Sequence, residues 1–351
     1  MKKAYSLVFL IFITLVIGGC GQISFYSQSI LGHSTLMSKR QAVETILMET
    51  SDQALERQLK LSQRVLAFAH TELDLPKTKS YRSYVQLNRD FPVWNVVASS
   101  EFSLQAEQWC YLVIGCASYR GYFSQAAASR YAAKLQSKGL ETHVGGAIAY
   151  STLGWFRDPL LSSMFRYGDL YLAETLIHEL AHQKLYINNH TTLNESFATV
   201  VAEEGMRRWL AVDAPQKLVE FENSKRADND FAVLVQDLKL VLGDLYQSDT
   251  TLAVKRSAKQ AVIRTFIDDY ERLKARKWHG RGWYDNWMAK PINNARLAAY
   301  SSYQDYIPQL RALLDACNNN LNDFYLTVAQ LKTKSASFEA GKDLPKNCHP
   351  R

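Results

Sequence analysis

The sequence predicts a mainly helical α+β protein, with a small β-sheet region in its first half and a helical C-terminal half. Three observations carry this. Over residues 38–75 apolar residues recur mostly at threes and fours, as in Val43, Ile46, Leu47, Leu55, Leu59, Val65 and Leu66, which is helical spacing. From Phe91 to Phe123 the run Val93, Val96, Val97, Phe102, Trp109, Tyr111, Val113 and Tyr122 is mostly β-formers, with turn residues at Ser99-Ser100 and Gly115. Beyond residue 211 helical spacing returns, as in Phe231, Leu234, Val235, Leu238, Val241, Leu242 and Leu245. At 351 residues, 47% hydrophobic and 12% aromatic, the chain can bury a sizeable core.

Residues 1–20 read as a targeting segment: Lys2-Lys3, then a largely apolar run from Tyr5 to Ile17 that is short for a membrane span. Ile17-Gly18-Gly19-Cys20 resembles the lipobox of bacterial lipoproteins. That resemblance implies acylation of Cys20 and a lipid anchor in the cell envelope rather than a spanning helix. Gly21, where an inner-membrane lipoprotein of enterobacteria carries Asp, points to the outer membrane facing the periplasm. Residues 21–37 then read as a linker. The formal charge of +7 is spread along the chain, with no basic–aromatic stripe, so no nucleic-acid partner is expected.

The region 38–211 is expected to hold the chemistry. Its first helices close at Leu75-Pro76, and a shorter helix is expected over 78–90. The strands of 91–123 follow. Ser124 is placed to cap a helix over 125–138 that Gly139 stops. Glu141 to Thr152 reads as a further strand, broken at Gly145-Gly146. The aromatics of Trp155-Phe156-Arg157-Asp158-Pro159 read as core. Helices are expected at 215–246, 250–278, 302–316 and 319–334 in a C-terminal region spanning 212–340. The aromatic, glycine-punctuated stretch from Trp278 to Asn294 is expected as a loop returning toward the active site, and 341–351 as a tail. With Cys20 lipidated, four cysteines remain in an oxidising compartment. Cys110 and Cys116 flank one short loop, which leaves Cys317 with Cys348; no C-x-x-C occurs.

The chemistry centres on His178-Glu179-Leu180-Ala181-His182. Four residues are a little over one helical turn, so the two imidazoles share a face and can hold one Zn²⁺. Glu179 lies about 100° round the helix and can act on a water as general base without being a ligand. Leu172, Leu176 and Leu180 give this helix, expected over 169–187 with Asp169 as N-cap, a buried side. After the turn Asn188-Asn189-His190-Thr191 a second helix opens at Thr192 and runs through Trp209. A short connection makes the two helices antiparallel neighbours, which brings Glu195 near the level of the histidines as third ligand. Thr192-x-x-Glu195 is also a capping box, and Glu203 and Glu204 are rival ligands.

His178-Glu179-x-x-His182 followed by Asn194-Glu195-Ser196-Phe197-Ala198 resembles the gluzincin arrangement, with a shorter gap between the second histidine and the glutamate than in thermolysin-like enzymes. More closely, the chain resembles a bacterial family described as zinc aminopeptidases. The resemblance rests on Trp109-Cys110 through Cys116 to Tyr119-Arg120-Gly121-Tyr122-Phe123, on Ala149-Tyr150-Ser151-Thr152-Leu153-Gly154-Trp155-Phe156, on Asp158-Pro159-Leu160-Leu161, on the two metal helices and on Asn293-Asn294-Ala295. It implies zinc-dependent hydrolysis of a peptide substrate, with His178, His182 and Glu195 as ligands. It also implies an edge strand that pairs with the substrate, for which Gly146, Ala147 and Tyr150 are the candidates.

Such a reaction needs an oxyanion donor; Tyr186, one turn beyond His182, is one candidate, with Tyr303 and His190 as others. An aminopeptidase also needs an acid near the substrate's α-ammonium, for which Glu101, Asp158 and Glu174 are available. An envelope endopeptidase of the same chemistry and a metal-binding lipoprotein without turnover are the alternative readings.

Overall fold

In the computed structural model, residues 25–111, 115–152, 156–331 and 344–348 are described. The expected cleavage and lipidation site at Cys20 lies outside them. Helix α1 covers residues 25–38. This stretch is not an unpacked tether, because Phe25 and Leu36 are buried. Strand β1 (Gln41–Ala42) leads into α2 (Val43–Glu49) and α3 (Gln53–Glu72). Asp52 opens α3 by accepting from the N–H groups of Ala54 and Leu55. The helix expected at 78–90 is absent. In its place is strand β2 (Ser83–Val85), where Tyr84 and Val85 are buried β-formers.

Strands β3 (Val93–Ser100), β4 (Trp109–Tyr111), β5 (Gly115–Ala117) and β6 (Arg120–Tyr122) follow. Next come α4 (Gln125–Gln136), capped by the Ser124 hydroxyl, and β7 (Leu140–Ala147). The strand expected through Thr152 ends at Ala147, and Gly145-Gly146 do not break it: pairing with β3 is continuous from Ser100↔Leu140 to Val93↔Ala147. Glycine is needed at 146 because a Cβ there would lie 2.1 Å from the Phe91 ring. The short β8 (Leu160–Leu161) runs parallel to β2. Phe156 is exposed rather than in the core, and Trp155 lies outside the described residues.

Helices α5 (Asp169–Lys184) and α6 (Thr191–Asp213) follow. Helix α5 begins after Gly168, so Asp169 is its first residue rather than its N-cap. The helical half comprises α7 (Leu218–Gln247), α8 (Leu252–Lys277), the one-turn α9 (Asp285–Met288), α10 (Asn294–Gln304), α11 (Ile307–Ala316) and α12 (Leu321–Ala329). Helix α10 starts eight residues before the helix expected there, because the Asn293 side chain caps it at Arg296 N–H. No helix among the described residues is long and apolar enough to cross a membrane.

The described strands form three sheets, ordered β1-β2-β8, β6-β3-β7 and the hairpin β4-β5. The main core joins α3, α5, α6, α11 and α12 to β2 and β8. Leu172, Leu176, Ile177, Leu180 and Ala181 are all essentially without exposed surface, so α5 is gripped on several sides; each of its large apolar side chains contributes about 1.5–3 kcal/mol by burial. Gly205 lets α6 come close: a Cβ there would lie 2.7 Å from Leu73 Cδ1 and 3.0 Å from Ile177 Cγ2. A separate cluster holds α7 and α8 together. Trp278, Tyr284 and Trp287 pack into it, so the stretch expected to return to the active site serves the helical half instead.

Polar bonds join that half to one end of the β3–β7 pair. Buried Lys259 reaches Glu141 and the Glu101 carbonyl, and buried Asn294 bonds Glu141, Ser100 and Glu101. Disulfides Cys110–Cys116 and Cys317–Cys348 close the β4–β5 hairpin and tie the end of the chain to α11.

Candidate metal centre

His178 and His182 occupy one face of α5 with His182 buried and His178 half-buried. Helix α5 ends at Lys184, where Leu185 turns extended (φ −146°, ψ 127°). Tyr186 therefore does not continue the helical face of His182, contrary to the expectation of a helix through 187. The chain is held in this early exit by Asn194, whose Oδ1 accepts from Ile187 N–H and whose Nδ2 donates to Ile187 O, both at 2.8 Å. This buried pair sets the first turn of α6 against the end of α5, and the next residue is Glu195.

Glu195 does not form the capping box that was its alternative reading. No side chain caps α6, and its carboxylate turns to the histidines. Glu195 Oε2 lies 3.2 Å from His178 Nε2 and 3.5 Å from His182 Nε2, and the two Nε2 atoms are 3.2 Å apart. The imidazole planes cross at 85°. For four-coordinate zinc with ordinary Zn–N and Zn–O bonds, the edges of the tetrahedron are roughly 3.3–3.5 Å. Three donors in a near-equilateral triangle of that edge fit one face of such a site. The two rings and one carboxylate are also the donor set that borderline zinc accepts.

The same closeness sets the charges. Burial pushes the Glu195 carboxyl up, but His182 and His178 outweigh it by charge and hydrogen bonding and hold it at about 2. Burial pulls the His182 imidazole down, while Glu195 and then Glu179 drive it up, with a net rise. His182 Nδ1 is buried with no hydrogen-bond partner among the described residues, so its Nε2 is the atom aimed at the shared point.

The rival carboxylates are engaged elsewhere. Buried Glu203 is bound by Arg311 Nε and Nη2, and Glu204 by Arg208 at 2.8 Å. Glu101 pairs with Arg256 and Glu174 with Lys225. Among the three acids considered for an α-ammonium, Asp158 alone has no ion pair among the described residues. It is fully buried, accepts from the backbone N–H and hydroxyl of Thr152, and is raised to about 6, first by burial and then, against its hydrogen bonds, by the charge of Glu179.

Half-buried Glu179 makes no hydrogen bond or ion pair among the described residues, so its carboxylate is available. Two tyrosines not singled out for chemistry feel its charge. Tyr81 is buried in the left-handed backbone region (φ 62°), its N–H held by Asp158 O; burial, then Glu179, then Asp158 push its phenol well up. Such a backbone is strained for a bulky residue. The Tyr119 phenol is raised by burial and then by the charges of Glu195, Tyr186, Tyr111 and Glu179. Tyr186 is likewise raised, by burial and then by Glu195. Tyr119 lies in the Tyr119-Arg120-Gly121-Tyr122-Phe123 segment that carries the family resemblance, the one signal pointing to it. His190 stands at the start of α6, and the side chain of Tyr303 lies outside the described residues.

No hydrogen bond links Gly146, Ala147 or Tyr150 to the triad. Gly146 and Ala147 pair with Trp94 and Val93 on β3, while β7 has no second strand partner among the described residues. The Tyr150 hydroxyl lies 3.2 Å from His33 Nδ1, and its ring packs on Phe123. Beyond β7, the Ser151 hydroxyl neighbours the Tyr81 phenol.

The family model described as "Putative aminopeptidase" matches residues 24–341. No protein of curated function and no solved structure matches the chain significantly.

Proposed function

The chain belongs to this aminopeptidase family, and on that premise we propose that it is a zinc-dependent peptidase releasing residues from the free N-terminus of peptides. The observation that carries this reading is the triangle of His178 Nε2, His182 Nε2 and Glu195 Oε2, with edges of 3.2, 3.2 and 3.5 Å. Zinc, when bound by these three residues, supplies Lewis-acid activation of a water and of the scissile carbonyl.

The remaining steps belong to the chain. Glu179, next to His178 and unpaired among the described residues, takes a proton from the attacking water and delivers it to the leaving amine. Charge that develops on the carbonyl oxygen needs a hydrogen-bond donor. Tyr119 and Tyr186 supply neutral phenols for it, kept protonated by burial and by Glu195. Asp158, buried and with no ion pair among the described residues, adds negative potential that favours an α-ammonium. A peptide approaching along the free edge of β7 would run toward Ser151 and this site. Acylation at Cys20 would hold the enzyme on the envelope, facing the periplasm.

Bound zinc per chain tests the reading. Full-length protein purified in detergent is expected to hold about one zinc, Glu195→Ala strongly less, and the wild type to cleave a free-amine peptide but not its N-acetylated form. Zinc retained in Glu195→Ala would overturn the ligand set. Cleavage of the acetylated peptide would overturn the exopeptidase assignment.

A further inference from the structure

Independently of the metal centre, we propose that a pocket between β7 and α10, lined by His143, Trp287, Lys290 and Arg296, binds a small organic carboxylate with a flat apolar body. The cavity holds about 310 Å³ and is also lined by Asn286, Ala299 and Tyr300, with no carboxylate in its wall. That volume lies at the lower end of small-molecule sites.

Its charge lacks an answer among the described residues. Arg296 is 3% exposed, yet among the described residues its guanidinium donates only to the backbone carbonyls of Trp287, Lys290 and Pro291 and stacks on the Trp287 ring at 4.1 Å. Carbonyl oxygens satisfy donors without neutralising a cation. Among the described residues neither Arg296 nor Lys290 makes an ion pair. The carboxylates whose charge reaches Tyr300, Asp228 and Asp305, are engaged by Lys225 and Tyr284 and by Lys239.

The pocket's field is visible in its own groups. Burial, then Arg296 and Lys290, push the His143 imidazole down to about 4, so at neutral pH it is an uncharged ring with a nitrogen donor. Burial alone brings Arg296 down to about 10. A buried cation without a counter-charge is costly, and an anion entering from solvent relieves that cost.

The body of the ligand follows from the walls. Trp287 and Tyr300 meet edge to face, with ring centroids 5.9 Å apart. They offer apolar surface on which a planar group can lie. Lys290 is exposed at the rim, where it can meet the carboxylate as a flexible point charge. Bare phosphate would use the charge and leave the aromatic walls unused.

The test uses benzoate as probe, benzamide as its neutral counterpart and inorganic phosphate as the bare anion, each titrated calorimetrically into the full-length protein in detergent at low salt. Benzoate is expected to bind about tenfold or more tightly than benzamide, the size of one charge-assisted contact. Lys290→Gln, a substitution at an exposed side chain, should weaken benzoate about tenfold, and Ala299→Trp should abolish binding by filling the cavity. The unfolding midpoint of Lys290→Gln should match that of the wild type, which keeps the result free of folding effects. No benzoate binding, equal binding of benzamide, or an unchanged affinity in Lys290→Gln would overturn the site. Phosphate binding as tightly as benzoate would overturn the organic-carboxylate assignment. Zinc content and peptidase activity do not enter these readouts, so this proposal can fail without the peptidase reading, and the reverse.

Discussion

Asn189 Oδ1 accepts a hydrogen bond from the Cys116 backbone N–H at 2.8 Å. The β4–β5 hairpin, closed by the Cys110–Cys116 disulfide, is thereby docked on the turn that joins the two helices of the candidate metal centre. The fit is close: Gly115 has φ +76°, and a Cβ there would lie 2.1 Å from Asn189 Oδ1. Asn189 itself holds a left-handed backbone (φ 68°), a conformation that Asn tolerates better than most residues. The hairpin leads directly to Tyr119, so one contact bears on both the helix turn and the phenol proposed for the site.

Loss of the hairpin constraint is therefore expected to reach the metal. Cys110→Ser with Cys116→Ser should cost about 2 kcal/mol by the loop-entropy estimate for so short a loop, read by urea unfolding. Zinc affinity, measured by competition with a chelator, should fall roughly tenfold, as for other groups supporting a ligand. Asn189→Ala should reproduce the fall in affinity with the disulfide intact. Unchanged zinc affinity in both variants would show that the hairpin does not brace the site.

Asn194 makes a second, sharper prediction. Its amide satisfies both the N–H and the carbonyl of Ile187 in a buried position. Asn194→Ala leaves both backbone groups unpaired, at about 1–3 kcal/mol each. Denaturant unfolding should show a loss of roughly 2–4 kcal/mol, and chelator competition a 10- to 100-fold weaker zinc site. Asn194→Asp keeps the acceptor and loses the donor, so it should fall between the two.

These braces explain what the sequence made legible. His178 and His182 are related by one helical turn, and local periodicity is enough to align them. Glu195 was accessible because a short turn between helices leaves few ways to place it. The exit of α5 at Lys184 was not legible, since Leu185, Tyr186 and Ile187 continue an acceptable helical pattern and the tertiary bonds from Asn194 decide against it. Strands β2 and β8 are three and two residues long, too short for alternation to register. Tyr81 and Tyr119 come from separate segments and come under the charge of Glu179 only through folding, so no spacing could announce them, and Asp158 stood in the sequence only as one of three acids. The two cysteine pairs were legible because four cysteines allow few pairings and one pair flanks a single short loop.

Asp158 gives a prediction in pH. Its folded carboxyl is raised to about 6, chiefly by burial, against an ordinary value near 3.8. The native state thus binds a proton more tightly than the unfolded chain, and stability falls as pH rises between about 4 and about 6. The contribution is fully present below the unfolded value and is lost as pH climbs through the folded one. A shift of about two units corresponds to on the order of 3 kcal/mol. Asp158→Asn cannot titrate, so its unfolding free energy should change less with pH across that window, measured by urea titration at half-unit intervals. A wild type and a variant with parallel pH profiles would show that Asp158 titrates normally.

The last prediction separates holding a metal from using it. Glu179 borders the triad yet makes no hydrogen bond or ion pair among the described residues, whereas Glu195 is locked between the two histidines at 3.2 and 3.5 Å. Glu179→Gln keeps the side-chain volume and removes only the basic oxygen. Bound zinc should stay near one per chain and the unfolding midpoint should hold, because no contact of the fold is lost. Turnover of a free-amine peptide should fall by about 10²–10⁴ with little change in KM, the signature of a proton-transfer group that acts in the transition state. Glu195→Gln should show the opposite order of effects, losing zinc first and activity as a consequence. If Glu179→Gln lost zinc as Glu195→Gln does, Glu179 would be a ligand and the general base would have to be sought elsewhere, with Asp158, which feels the charge of Glu179, the first carboxylate to test.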